Sequence, residues 1–398
     1  MSLKRGVITE RTSSSARPIE VTSTLPLAFV FTSNVKEGLY CFDSPKDALD
    51  YFKDSHTDGN LIKYIKLGVD KFPLIVPTII SIANEVVEEE GVKTAEEAAA
   101  ETKSNIINAI NILKSSTTSK NLADEKGSMI GYKADIVGVA DYASNDDDIK
   151  NALIATTEYM KARTFIDLDA STNGDAITQR DAIGSDRVTV IKTSVIDWNV
   201  DTNSQEFYDS GIMACYLRSY VDGSSKIGYS KSISNMVIPF SGVKNPSEFI
   251  AGAQDETDPL TEKQIMSFIS YMGLRTWEYS TCSADAIWQD ARRVRIFDLA
   301  ADAVLEGIFF AVDKDMGALT SAKKSLRGFM DGLVGDEVML GFDVYLDKER
   351  TTPERITAGE FYFVIDAQEM PSPKLICVTF NRVDRYAPLV YKMIEEAA

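Results

Sequence analysis

The chain has 398 residues, 44% of them hydrophobic, with 60 acidic against 42 basic residues and a net charge of −18. That length supports a sizeable core and two or three domains, while the charge argues against general binding to nucleic acid or anionic membranes. One histidine, His56, and four scattered cysteines (Cys41, Cys215, Cys282, Cys377) without C-x-x-C spacing exclude a histidine triad, a multi-histidine metal centre and a disulfide framework.

No apolar stretch follows the opening Met-Ser-Leu-Lys-Arg-Gly, so no secretory signal is expected. The longest apolar run, near 72–83, carries Pro73 and Pro77 and is too short to span a membrane. The expectation is a soluble protein made in the cytoplasm, with no direct membrane insertion.

Residues 1 to about 20 read as an arm. Short strands at 6–10 and 18–22 flank Ser13, Ser14 and Ser15, and a strand at a free end needs a sheet edge to pair with. A buried strand at 27–32 follows. Asp43-Ser44-Pro45 opens a helix through Phe52, with the proline just inside its start. A second helix is expected at 60–69 and a short strand at 74–76. Thr94 with Glu97 three residues on forms a capping box for a helix to Leu113, whose apolar stripe is Ile106, Ile107, Ile110 and Leu113.

A β-α-β-α-β run comes next: strands at 135–139, 164–168 and 187–191, with helices at about 146–163 and 176–183. Alternation of this kind implies a parallel sheet. A helix at 207–220 follows. Residues 241–261, with Gly242, Pro246, Gly252 and Pro259, mark the expected domain boundary. Beyond it come helices at 263–272, 285–311 and 320–334, then strands at 338–346, 359–366 and 374–381, and a strand-like tail at 387–394. Strands after helices predict an α+β domain with an antiparallel sheet. The fold class expected is therefore an α/β domain followed by an α+β domain, with extended arms at both ends.

Asp167-Leu168-Asp169 at a strand end has the spacing of a phosphatase nucleophile and general acid, where Mg²⁺ is well placed. The competing reading is a polar strand-to-helix turn, and the downstream lysine and acid pair that the chemistry needs is not convincing. Asp146-Asp147-Asp148 fits helix capping better than cation binding. The turn after Val139 has neither G-x-G-x-x-G nor a Walker pattern, so the α/β run reads as scaffold. No cofactor or metal is expected. Arg292, Arg293 and Arg295 form a basic cluster that is either a solvated face paired with Asp290 and Asp298 or an interface. With Lys323, Lys324 and Arg327 they suggest docking to an acidic partner.

The segment Gly273-Leu274-Arg275-Thr276-Trp277-Glu278-Tyr279-Ser280-Thr281-Cys282-Ser283 resembles a Gly-x-Arg-x-Trp-Gly/Glu-x-x-Thr-x-Ser pattern of contractile-tail sheath proteins of bacteriophages and R-type bacteriocins. Gly228-Tyr229-Ser230-Lys231-Ser232-Ile233-Ser234-Asn235 is similar to a second segment of that family, and the arm entering the first buried strand is similar too. The resemblance covers nearly the whole chain, is strongest after residue 260 and weakest over 85–130. Its signature positions are Gly273, Arg275, Trp277 and Thr281.

The resemblance implies four parts: an arm at 1–22, an outer α/β domain at 23–252 with a subdivision near 85–130 left open, an inner α+β domain at 253–382, and a second arm at 383–398. It implies stacked hexameric rings forming a helical sheath around a tail tube protein, with baseplate and tail terminator proteins as further partners, no nucleic acid, and a place in the virion tail after assembly in the bacterial host. Val7, Ile8, Thr9, Leu389, Val390, Tyr391 and Ile394 would donate strands to neighbours. Phe361, Tyr362, Phe363, Leu375, Ile376 and Val378 would receive them, and the helix with Lys323, Lys324 and Arg327 would face the tube. Alternatives are a Mg²⁺-dependent phosphatase-like hydrolase using Asp167 and Asp169, and the sheath of a type VI or related injection machine.

Overall fold

The computed structural model describes residues 19–21, 25–34, 37–54, 59–89, 92–116, 133–199 and 203–396. His56 and the expected strand with Val7, Ile8 and Thr9 lie outside them. The first half of the chain forms β1 (Leu27–Ser33), β2 (Gly38–Phe42), α1 (Pro45–Phe52), α2 (Leu61–Lys71), β3 (Thr78–Asn84), α3 (Ala95–Ile112), β4 (Ile136–Val139), α4 (Asp147–Met160), β5 (Arg163–Asp167), α5 (Asn173–Asp181) and β6 (Val188–Ile191). A hairpin of β7 (Val195–Asn199) and β8 (Ser204–Tyr208) precedes α6 (Ser210–Gly223), and β9 (Gly242–Val243), α7 (Asp258–Glu262), β10 (Ile265–Ser270) and β11 (Leu274–Trp277) follow. The remainder holds α8 (Ala291–Ile308), α9 (Met316–Gly335), β12 (Met339–Leu346), α10 (Pro353–Thr357), β13 (Phe363–Glu369) and α11 (Leu389–Glu396).

Eight strands make the main sheet in the order β11-β10-β6-β5-β4-β1-β3-β2. Its interior is parallel, and β2 and β11 close the two edges antiparallel. A parallel sheet is covered on both faces, which is why every residue of β1 is buried. One face packs Phe29, Phe31 and Phe165 against α2 and α6, and the other packs Val30, Val137 and Ile166 against the α3, α4 and α5 side. Side chains fix the helix starts: Ser44 accepts from the Asp47 amide, Thr94 and Glu97 form the expected capping box, and Asp146 accepts from Asp148 and Ile149. A separate core unites α8, α9 and the β12–β13 hairpin through Ile296, Leu299, Leu326, Phe329, Met330 and Val344, with Ile19 and Leu25 packed into it.

Several elements differ from the sequence expectation. No strand forms at 74–76; Pro73 and Pro77 lack ladder donors and β3 starts after them. The helix expected from Phe207 begins at Ser210, because Asp209 caps it through Gly211 and Ile212, while Phe207 belongs to β8. The helix expected at 263–272 is instead β10, an apolar run buried beside β6. The main sheet therefore continues past residue 252 to Trp277, beyond the composition break that suggests a boundary. The arginine helix starts only after Asp290, with a 3₁₀ turn before it at 286–288.

Candidate assembly interface

The arginine cluster on α8 turns inward. Arg295 is 1% exposed and Arg292 is also buried. The Arg295 guanidinium donates to both oxygens of Asp222 at the end of α6 and, at 2.7 Å, to Asp135 before β4. Arg218, fully buried on α6, donates to the same Asp222 (3.0 Å) and to the carbonyls of Gly228 and Lys231. Two guanidiniums and two carboxylates thus neutralise each other out of water, the condition under which buried charge is tolerated. Asp298, one turn along α8, accepts from Arg163 and Arg187. Arg293 pairs with Glu369 at the end of β13, and Arg292 donates to the Met370 carbonyl. Arg295 and Asp298 therefore fasten the C-terminal layer to the main sheet, while Arg292 and Arg293 tie α8 to the end of β13. The expectation that they dock an acidic partner is corrected, as is their pairing with Asp298.

The two sequence segments around 228–235 and 273–283 meet in space. Arg275 donates to the carbonyls of Tyr271 and Asn235, closing the β10–β11 turn where Gly273 has φ +106°. Thr276 bonds Ile233 and Met236, and Ser234 accepts from the Glu278 amide. Trp277 packs edge-on against Phe249 at 5.2 Å, and Thr281 donates to the Trp288 carbonyl at 2.6 Å. Gly273, Arg275, Trp277 and Thr281 form a seam that seals the sheet edge and aims the chain into α8. They present no catalytic set.

The surface the sequence assigns to partners is mostly open. Lys323, Lys324 and Arg327 lie along the exposed side of α9, opposite the buried Ala322, Leu326, Phe329 and Met330. They make no ion pair among the described residues. The β12–β13 hairpin is a sheet of only two strands, fewer than an independent sheet needs. Phe363 opens β13, whereas Phe361 and Tyr362 precede it; α10 and the left-handed Gly359 (φ +81°) delay the strand, and Tyr362 sits under Arg350 and Arg355.

Residues 374–381 form no strand, with Leu375, Ile376 and Val378 exposed by 81%, 77% and 69%. Leu389, Val390, Tyr391 and Ile394 lie in α11, a helix with no buried residue, where a strand is expected. The physical reason is common to both: without a facing strand, extended backbone has no partner, whereas a helix closes its hydrogen bonds locally.

No family model matches the chain. A major tail sheath protein of a Pseudomonas aeruginosa prophage is 28% identical over 239 residues, covering 58% of this chain and 61% of that protein. The tail sheath protein of Burkholderia phage BcepMu is 28% identical over 301 residues, covering 70% of this chain and 61% of the relative. The helical sheath of the anti-feeding prophage in its contracted state superposes with a TM-score of 0.65 at 15% identity, covering 96% of this chain and 100% of that one.

The chain is similar in sequence to contractile tail sheath proteins and shares the fold of a contractile sheath. It spans about three fifths of the length of the curated sheath relatives it matches.

The carboxylates at the strand ends of the chain are occupied by structure. Asp167 is 2% exposed and accepts from the Asp169 amide, the Ser194 hydroxyl and the Ser210 amide at 2.8, 2.7 and 3.0 Å. Asp169 is paired with Lys244. The phosphatase reading is corrected on these contacts: a nucleophile or Mg²⁺ ligand needs open lone pairs, and these are spent on the Asp169 amide, Ser194, the start of α6 and Lys244. Burial, then the nearby Asp167 and Asp141, hold Asp209 well above the ordinary carboxylate range. The crevice between the ends of β1 and β4, where ligands bind in open α/β sheets, is filled by the chain itself. Asn60 accepts from the Thr32 amide and donates to Asp141, and the Tyr64 hydroxyl donates to Asp141 and accepts from the Asp209 amide. The sequence motif Asp167-Leu168-Asp169 carried no sign of this; the filling residues come from the N-terminal end of α2, far away in sequence.

Proposed function

We propose that the chain is the structural subunit of a contractile phage-type sheath, not an enzyme, that polymerises around a tail tube and contracts to drive the tube through a target cell envelope. The likeness to tail sheath proteins in sequence and to a contractile sheath in fold supports the sheath role. The observation that carries the assembly mechanism is the segment 374–396, whose apolar residues Leu375, Ile376, Val378, Phe380, Tyr391 and Met393 are all exposed and which follows a sheet of only two strands. Apolar surface of that extent is unfavourable in water and marks a protein contact. Strand addition between copies satisfies both the bare sheet edges and the apolar side chains.

In this reading Val7 to Thr9 and Leu389 to Ile394 are the donors, β13 and residues 374–381 the acceptors, and the helix with Lys323, Lys324 and Arg327 faces the tube. Stacked hexameric rings, a baseplate below and a terminator above complete the assembly, which belongs to the virion tail. The extended form is metastable, and contraction releases what assembly stored. Negative-stain electron microscopy of the full-length protein over a concentration series tests the reading. Hollow tubes or stacked rings are expected. A monodisperse monomer at every concentration, and also in the presence of its tube protein, overturns it.

A further inference from the structure

The β7–β8 hairpin and the outer side of α2 enclose a cleft of roughly 300 Å³, apart from the sheath contacts discussed above. Trp198 stands at its mouth, 50% exposed, an unusual position for the largest aromatic side chain unless its flat face has a use. Around it the polar groups are already held in place. Glu206 accepts from the Asn199 amide (2.9 Å) and the Tyr208 hydroxyl (2.8 Å), and Lys71 pairs with Asp197 at 2.5 Å. The Lys63 ammonium lies 5.1 Å from the ring centres of both Tyr64 and Tyr208. Among the described residues, neither Lys63 nor Asp70 has a hydrogen-bond or ion-pair partner, so three N–H donors and a carboxylate remain to be used.

The charge of the lining decides the ligand class. Among the described lining residues Lys63, Lys66 and Lys71 balance Asp70, Asp197 and Glu206, so this lining is neutral on a chain of net charge −18. A neutral site selects neither phosphate nor metal. It offers alternating donors and acceptors beside an aromatic plane, which matches a ring with C–H bonds on one face and hydroxyls around its rim. We propose that this cleft binds one neutral hexose unit, its apolar face on Trp198 and its hydroxyls on Asp70 and Lys63.

Saturation-transfer NMR on the full-length protein tests this with methyl α-glucoside, methyl β-galactoside and N-acetylglucosamine, each also as a short linear oligosaccharide. At least one sugar should bind saturably with a Kd on the order of 1 mM. Trp198→Ala should weaken it roughly tenfold while Trp198→Phe retains most of the affinity, and Asp70→Asn should weaken it without changing the circular dichroism spectrum. Tighter binding of the oligosaccharide assigns the cleft to a glycan chain; equal binding assigns it to a free sugar. Failure of every sugar to bind, or binding untouched by Trp198→Ala, overturns the proposal. So does a Trp198→Ala variant that binds sugar as the parent does and loses only polymerisation, which makes the cleft a subunit contact. Tube formation by the parent is scored separately, so the sheath reading stands or falls independently.

Discussion

Arg295 on α8 and Asp222 on α6 form a doubly hydrogen-bonded ion pair with both side chains almost fully out of water. The pair links the main sheet to the C-terminal layer, and Arg218 on the other side of Asp222 extends it into the 228–231 turn. Removing Arg295 leaves Arg218 as the one cation of this cluster facing the two carboxylates Asp222 and Asp135, so the buried charges no longer balance. Arg295→Ala should therefore cost about 3–5 kcal/mol, read as a lowered midpoint in urea unfolding. Arg327→Ala, on the exposed side of α9, should stay within about 0.5 kcal/mol of the parent. Equal effects of the two would show that the pair contributes nothing special.

Deleting residues 383–398 should leave the unfolding midpoint unchanged, because none of the described residues in that stretch is buried. The same deletion should abolish tubes in negative stain, as should deletion of residues 1–16. Tubes from either truncated protein would defeat the strand-exchange arrangement.

Lys323→Glu, Lys324→Glu and Arg327→Glu together reverse an exposed basic stripe without touching the core face of α9. The folded monomer should keep its stability, while association with the tube protein should fall and lose its dependence on salt. Co-sedimentation at low and high ionic strength measures this. Unaltered association would remove α9 from the tube-facing surface.

Stability should carry a pH dependence from Asp209. Its folded-state pKa is raised, so its contribution is complete below the unfolded value near 3.8 and is lost as the pH rises toward the folded value. Between those limits the native state holds the extra proton, and stability falls with rising pH. Asp209→Asn keeps one oxygen for the Gly211 and Ile212 amides but turns an NH₂ toward the Asp141 amide, so a constant loss of about 1–2 kcal/mol is expected. The diagnostic is the slope: the variant's unfolding free energy should fall less between pH 4 and pH 7 than the parent's. Parallel slopes would exclude Asp209 as the source.

The order of helices and strands in the parallel core was legible because local signals agreed with burial there. Thr94 with Glu97, Ser44 with Pro45, and the apolar run Leu27 to Phe31 of β1 each state their own structure. Legibility failed where tertiary contact outweighed pattern. Residues 265–270 have an apolar run readable either way, and only their place beside β6 makes them a strand. The burial of Arg292 and Arg295 could not be read from spacing, because their partners Asp222, Asp135 and Met370 lie far off in the chain. The C-terminal segment fails for the opposite reason. Its strand-like alternation in 387–394 is not realised in the single chain, where Leu389–Glu396 close their hydrogen bonds locally as a helix.

Asn60 and Tyr64 fill the place where this kind of sheet elsewhere holds a nucleotide. A subunit plugged in this way has no fuel port at that crevice. The work proposed for the assembled chain must then be loaded as each copy is added, like winding a spring one coil at a time. In the proposed sheath such a spring has no nucleotide at this crevice to rewind it after release.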